Sequence, residues 1–212
     1  MANNRKRIGF DFDNTIVCYD EAIAVLSEQM FKVPPELPRT KLCLRNFLHT
    51  TGREQDWTIF QGALYGPGML YARPFDGAIQ TMHKLVELGY DLIIVSHRSR
   101  RPYAGPPHNL HVAAMDWAQQ HLKSAGLFVE NGPNKQNYSR INFMETIEGK
   151  LSRIEELGCQ IFIDDLPEVL EAPGFPESTI GVLFAPGKEA INLQCKYCVA
   201  DWIDIPGLLA QL

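Results

Sequence analysis

The chain has 212 residues, 45% of them apolar and 21% charged, which excludes a disordered chain and leaves room for one domain or a core with a small insertion. Basic residues number 20 and acidic ones 25, giving a formal net charge of -5. A nucleic-acid phosphate backbone is repelled on average by that charge, so no nucleic-acid partner is expected.

From residue 7 the chain reads as a strand. Arg7-Ile-Gly-Phe-Asp11-Phe-Asp13-Asn-Thr15 is a short apolar run, over residues 7–12, ending in two carboxylates two positions apart. In an extended chain that spacing turns both side chains the same way, and two like charges on one side are costly unless they share a cation. A hard divalent ion with oxygen ligands, Mg2+ in particular, suits the pair because it keeps several waters and takes one or two carboxylates. The plainer reading is an aspartate capping a following helix beside an accidental neighbour.

Residues 18–74 interrupt the strand–helix alternation. They read as helical, with breaks at Pro34-Pro35, Pro38 and Gly66-Pro67-Gly68. The expected division is therefore a core of residues 1–17 and 75–212 and a helical insertion of residues 18–74 over the sheet edge. Lys41, Arg45, Trp57, Gln61 and Tyr65 are its candidates for touching a ligand; as ordinary surface or interior positions they need no such role. Trp57, Phe60, Leu64 and Tyr65 are expected to make an exposed apolar patch.

Helices over residues 78–88, 110–125 and 147–157 follow from apolar stripes of 3.6-residue period, closed by Gly89, Gly126 and Gly158. Strands are predicted over 91–96, 127–130, 160–163 and 180–184, with a weaker one near 197–200. Such alternation predicts the α/β class, a mostly parallel sheet with helices on both faces. Ligands of such sheets bind beyond the C-terminal strand ends. Ser96 closes 91–96, and its hydroxyl suits either a phosphoryl oxygen or a cap for the next turn. The long loop that follows, with His97, Arg98, Arg100 and Arg101, suits a second anionic group or a plain solvated loop. Its histidines, spread among prolines, are not read as a metal site. Asp164 and Asp165 close 160–163 and add a second acidic pair at the same edge, which strengthens the cation reading. Lys150, 14 residues before Asp164, is the candidate for neutralising a phosphate, with a solvated helix-face lysine as the plain alternative and Lys135 as its rival.

No run approaches the roughly 18 apolar residues of a membrane span. The charged start, Arg5-Lys6-Arg7, leads into an acidic strand rather than an apolar signal segment. Five cysteines, odd in number and scattered, do not form a disulfide framework, and Cys195 with Cys198 reads as buried thiols. No membrane association and a cytoplasmic location are expected.

In order, Asp11-Phe-Asp13-Asn-Thr15, Ser96, Lys150 and Asp164-Asp165 resemble the four signature motifs of the haloacid dehalogenase (HAD) superfamily of phosphohydrolases. The resemblance implies a Rossmann-like core with Asp11 as nucleophile, forming an aspartyl-phosphate that water cleaves, and Asp13 as acid and base. It implies Mg2+ as cofactor, held by Asp11, the Asp13 main-chain carbonyl and Asp164 with help from Asp165, while Ser96 and Lys150 hold the transferring group. The insertion stands where the family carries a small helical cap, which implies a small phosphorylated substrate. Thr15, His97, Arg98, Arg100, Lys41 and Arg45 are the positions expected to bind that substrate. Residues 96–106 and 162–169 are also similar to stretches of a phosphatase-like subgroup associated with surface polysaccharide synthesis, which implies a sugar, polyol or amino-polyol phosphate. An acid at Asp13 disfavours dehalogenation. The expected function is a Mg2+-dependent phosphomonoesterase. The alternatives are a phosphotransferase or phosphomutase on a sugar phosphate, and a catalytically silent binding module.

Overall fold

A computed structural model describes residues 6–128, 140–187 and 196–212. In chain order they form β1 (Arg7–Phe10), β2 (Val17–Cys18), α1 (Asp20–Met30), α2 (Lys41–Thr50), α3 (Glu54–Tyr65) and β3 (Arg73–Pro74). Then follow α4 (Ala78–Glu87), β4 (Asp91–His97), α5 (Leu110–Ala118), β5 (Ile141–Met144), α6 (Ile147–Glu156) and β6 (Ile161–Asp164). The last are α7 (Pro167–Leu170), β7 (Ile180–Phe184), β8 (Cys198–Val199) and α8 (Ile205–Leu209). The chain divides into two units: Met1–Val17, Pro74–His97 and Leu122–Leu212 in one, Cys18–Arg73 and Arg98–His121 in the other. The expected insertion spanned residues 18–74; the second unit also takes in the loop and helix of Arg98–His121. No helix among the described residues is long and apolar enough to cross a membrane.

The first unit is an α/β layer structure around a six-stranded sheet of order β5-β4-β1-β6-β7-β8. Every pairing is parallel, with Phe10 level with Ile94 on one side and with Ile163 on the other. Alternate side chains of these strands feed two separate faces, as the two-residue period requires. One face packs Ile93, Val95 and Phe162 against Leu151 and Ile154 of α6, Leu157 just after it, and Val169 of α7. On the other, Phe10 stacks on Trp202 at 5.3 Å, and Trp202 lies in a short 3-10 turn, Trp202–Asp204, just before α8. Gly9 is required by the first face: a Cβ there would stand 2.5 Å from Phe162 Cδ2. Gly89 (φ +89) and Gly158 (φ +61) end α4 and α6 in the left-handed conformation expected of helix stops.

Two expectations about the secondary structure are corrected. Residues 127–130 were expected to be a strand, but Leu127 and Phe128 lie outside any strand, and Phe128 has φ +55. The place beside β4 is taken by β5, with Ile94 level with Ile141. Its Asn142 breaks the apolar run yet is buried, donating to Ile94 O at 3.1 Å and accepting from Arg153 Nε at 3.1 Å. The expected helix 110–125 is α5, ending at Ala118, followed by a π-helical turn, Gln119–Lys123. Val129, Glu130, Lys135 and Cys195 lie outside the described residues.

In the second unit, α3 packs against α1, α2 and α5. Side-chain caps start two of the unit's helices: Thr40 accepts from Cys43 N at 3.2 Å at α2, and Asn109 accepts from Val112 N at 3.1 Å at α5. Trp57, Phe60 and Leu64, expected in an exposed patch, are 7%, 0% and 0% exposed. They are the inward stripe of α3, and Trp57 stacks on Phe60 at 5.7 Å. The loop before α5 lies against α3 closely enough that a Cβ on Gly62 would stand 2.7 Å from Pro102 Cβ.

Candidate active site

All strands of the sheet run in parallel, so residues at their C-terminal ends gather on one edge. β1 ends at Phe10, but the ladder continues one step, with Asp11 N donating to Ile163 O at 2.8 Å. This register sets Asp11 level with Asp164, the last residue of β6. Beyond Asp11 the chain turns sharply through Asn14 (φ 59) and returns with Ile16 N and Val17 N both donating to Phe12 O. Asp13 and Thr15 therefore lie in a tight turn, not in a strand reaching residue 12.

Lys150 enters from the first half of α6, whose N-cap Thr146 accepts from Gly149 N at 3.0 Å. The lysine is 1% exposed, and its Nζ donates to Asp11 Oδ1 and Asp164 Oδ2, both at 2.6 Å. The other oxygen of Asp164 accepts from Leu166 N at 3.1 Å. Asp11, Asp164 and Asp165 each bring a carboxylate oxygen into a group lying within 4.8 Å of one another. The Asp13 carboxylate is outside that group, although its charge reaches Asp11.

Like charges crowd this cluster. Burial pushes the Asp11 carboxyl well above the ordinary carboxylate value; Lys150 pulls it back, and Asp164, Asp165 and Asp13 push it the same way as burial. Burial alone would lower Lys150, but Asp11 and Asp164 outweigh it and hold the ammonium above the ordinary lysine value. Asp11, Asp164 and Asp165 gather carboxylate oxygens, hard donors, around the site that Lys150 enters. That donor set fits a hard divalent cation such as Mg2+, with Asp11, Asp164 and Asp165 as the side chains to hold it. Two buried hydroxyls, Thr15 Oγ1 and Ser96 Oγ, have no hydrogen-bond partner among the described residues. Each is the kind of group that a ligand oxygen satisfies.

The remaining expected substrate residues are placed differently. His97 is exposed at the end of β4. Arg98 was expected to face substrate, but it is 4% exposed and committed to its own unit. Its Nε donates to Leu110 O at 3.0 Å, its Nη2 to Tyr65 O, and its guanidinium stands 5.4 Å from the Tyr65 ring. Arg100 and Arg45 are exposed, and Lys41 Nζ stands 5.8 Å from the Tyr65 ring. Within the second unit a groove of about 410 Å3, lined by residues such as Met69, Leu70, Val112 and Trp117, is largely apolar and contains none of the acidic cluster. Sequence reasoning did not find Leu166 N as the donor fixing Asp164, nor Trp202 Nε1, which donates to Thr15 O at 3.0 Å. Neither has a local signal, since a backbone amide is common to all residues and Trp202 lies 187 residues from its partner.

No family model matches the chain, and no curated protein matches it. Solved structures are similar along its whole length. A haloacid dehalogenase-like hydrolase of Streptococcus pneumoniae superposes with TM-score 0.59 at 14% identity, covering 99% of this chain and 100% of its own. A HAD phosphatase of Thermococcus onnurineus gives TM-score 0.54 at 17% identity, over 96% and 97%. The HAD-type protein YfnB of Bacillus subtilis, bound to magnesium, gives TM-score 0.57 at 13% identity, over 97% and 98%. At such identities the likeness is one of fold: the chain has the HAD-like α/β fold.

Proposed function

We propose that the protein is a Mg2+-dependent phosphomonoesterase acting on a small phosphorylated metabolite. The observation that carries the reading is the buried cluster in which Lys150 bridges Asp11 and Asp164 at 2.6 Å while Asp165 adds a third carboxylate. The HAD phosphatase and the magnesium-bound protein of the same fold support it.

In this reading Asp11 attacks phosphorus in line, the ester oxygen departs with a proton from Asp13, and an aspartyl-phosphate forms on Asp11. Asp13 then takes a proton from water, whose oxygen attacks the same phosphorus and frees phosphate and the Asp11 carboxylate. Lys150 offsets charge on Asp11 and on the phosphoryl oxygens, and the Ser96 and Thr15 hydroxyls donate to those oxygens. Mg2+, held by Asp11, Asp164 and Asp165 with the Asp13 main-chain carbonyl, would neutralise phosphoryl oxygens when bound. Residues 18–74 are the helical cap of this reading, which favours a small substrate, and a sugar, polyol or amino-polyol phosphate is the substrate class suggested by residues 96–106 and 162–169.

Purified protein incubated with p-nitrophenyl phosphate and a panel of phosphorylated sugars and polyols tests the reading. Phosphate release that requires Mg2+ and stops with EDTA is expected. No release from any ester, with or without the metal, would overturn it.

A further inference from the structure

Trp202 belongs to the C-terminal segment, yet two of its groups meet the turn that carries Asp11 and Asp13. Its indole Nε1 donates to Thr15 O at 3.0 Å, and its ring stacks at 5.3 Å and 21° on Phe10, the residue immediately before Asp11. Trp202 is 1% exposed. It is held in turn by Thr81 Oγ1, which donates to Trp202 O at 3.1 Å, and by Phe184, whose ring centroid is 6.0 Å away. The turn from Asp11 to Val17 makes its own hydrogen bonds at Phe12 O and Val17 O, and Phe75 N closes Ile16 O. The Thr15 carbonyl is the acceptor in that turn met by a side chain from the far end of the chain. A buried carbonyl deprived of its donor is left unsatisfied or moves to find another, and here moving would carry Asp13 and the Thr15 hydroxyl with it.

We propose that Trp202 is a positioning residue for the catalytic turn. Its indole N–H fixes the Thr15 carbonyl and its ring seats Phe10, so the two ends of the Asp11–Thr15 stretch are anchored to one rigid side chain. The proposal rests on the phosphomonoesterase reading for its kinetic consequence and on the hydrogen bond alone for its structural one.

Trp202→Phe keeps an aromatic ring against Phe10 and removes the N–H. The variant is expected to lose about tenfold to a hundredfold in kcat on phosphate esters, the scale of an ångström-sized misplacement, with KM within about twofold. Amide hydrogen exchange should quicken at residues 13–17 while β4 and β6 keep their protection. An active wild type whose Trp202→Phe variant keeps full kcat and unchanged exchange at 13–17 would overturn this proposal and leave the phosphatase reading standing. Faster exchange spread evenly over the sheet would also overturn it, because Trp202 would then be core filling alone. A wild type inert on every ester would overturn the function, and the kinetic half of the proposal with it.

Discussion

At the N-terminal end of the strands, Asp91 is 5% exposed and receives Arg7 Nε on one oxygen at 3.0 Å and Arg140 Nη1 on the other at 2.6 Å. At the C-terminal end, Asp11, Asp164 and Asp165 gather around Lys150. Both ends bury carboxylates against cations in the same sheet. One has cations in excess and satisfied oxygens, which makes a clamp. The other brings three carboxylates together, like charges that push the Asp11 carboxyl up while Lys150 pulls it back. The difference teaches that burial of an acid says little by itself, whereas the local balance of charge separates a structural ion pair from a site built for chemistry.

The strongest way to break this comparison is to neutralise one acid at each end. Asp11→Asn should lower turnover by on the order of 10³-fold or more and leave the melting temperature within a few degrees, since shape is kept and repulsion among the acids falls. Phosphate release and a thermal melt on the same sample check both halves; retained turnover would end the nucleophile assignment. Supplying a divalent cation should act at one end only. Mg2+ at about a hundred times its Kd should stabilise the fold by about 2.7 kcal/mol, a rise in melting temperature that Asp164→Asn should abolish and Asp91→Asn should leave in place. In the converse substitution, Asp91→Asn should destabilise the fold by about 1–3 kcal/mol by leaving two guanidinium groups with a neutral partner, while kcat per folded molecule stays at the wild-type value in an active-site-titrated assay.

The smallest effect concerns Cys159, beside the clamp. Burial pushes its thiol from 9.0 up to about 12, with Arg7 pulling down and Asp91 pushing up. A thiol whose folded value is raised keeps its proton while the unfolded chain loses it. The stability it contributes is thus whole below 9.0 and falls as pH rises from 9.0 towards about 12. Denaturant melts at stepped alkaline pH should show this decline in the wild type and a shallower one in Cys159→Ala, and iodoacetamide should label native Cys159 slowly at pH 8.

Much of the fold was legible because buried parallel strands announce themselves as apolar runs: the cores of β1, β4, β6 and β7 were each read within a few residues. β5 was not, because Asn142 sits in the middle of it and is paid for by partners at residues 94 and 153 that no local pattern reveals. The acidic pairs were legible for a related reason, as charges placed at the ends of apolar segments, whereas Lys150, near the start of α6, was singled out by its order and spacing before Asp164. The hydrogen bonds of Arg98 to Tyr65 O and Leu110 O were not legible, because a backbone acceptor 33 or 12 residues away leaves no local pattern.

Lys150 reaches Asp11 across 139 residues, and β1, which leads into Asp11, lies between two strands made after it. During synthesis Asp11 is therefore made 139 residues ahead of its counter-ion, while the intervening helices α1, α2 and α3 can form from local contacts. A nascent chain lacking α6 would hold the Asp11 carboxylate without the ammonium, so the cluster cannot close until that helix has been made.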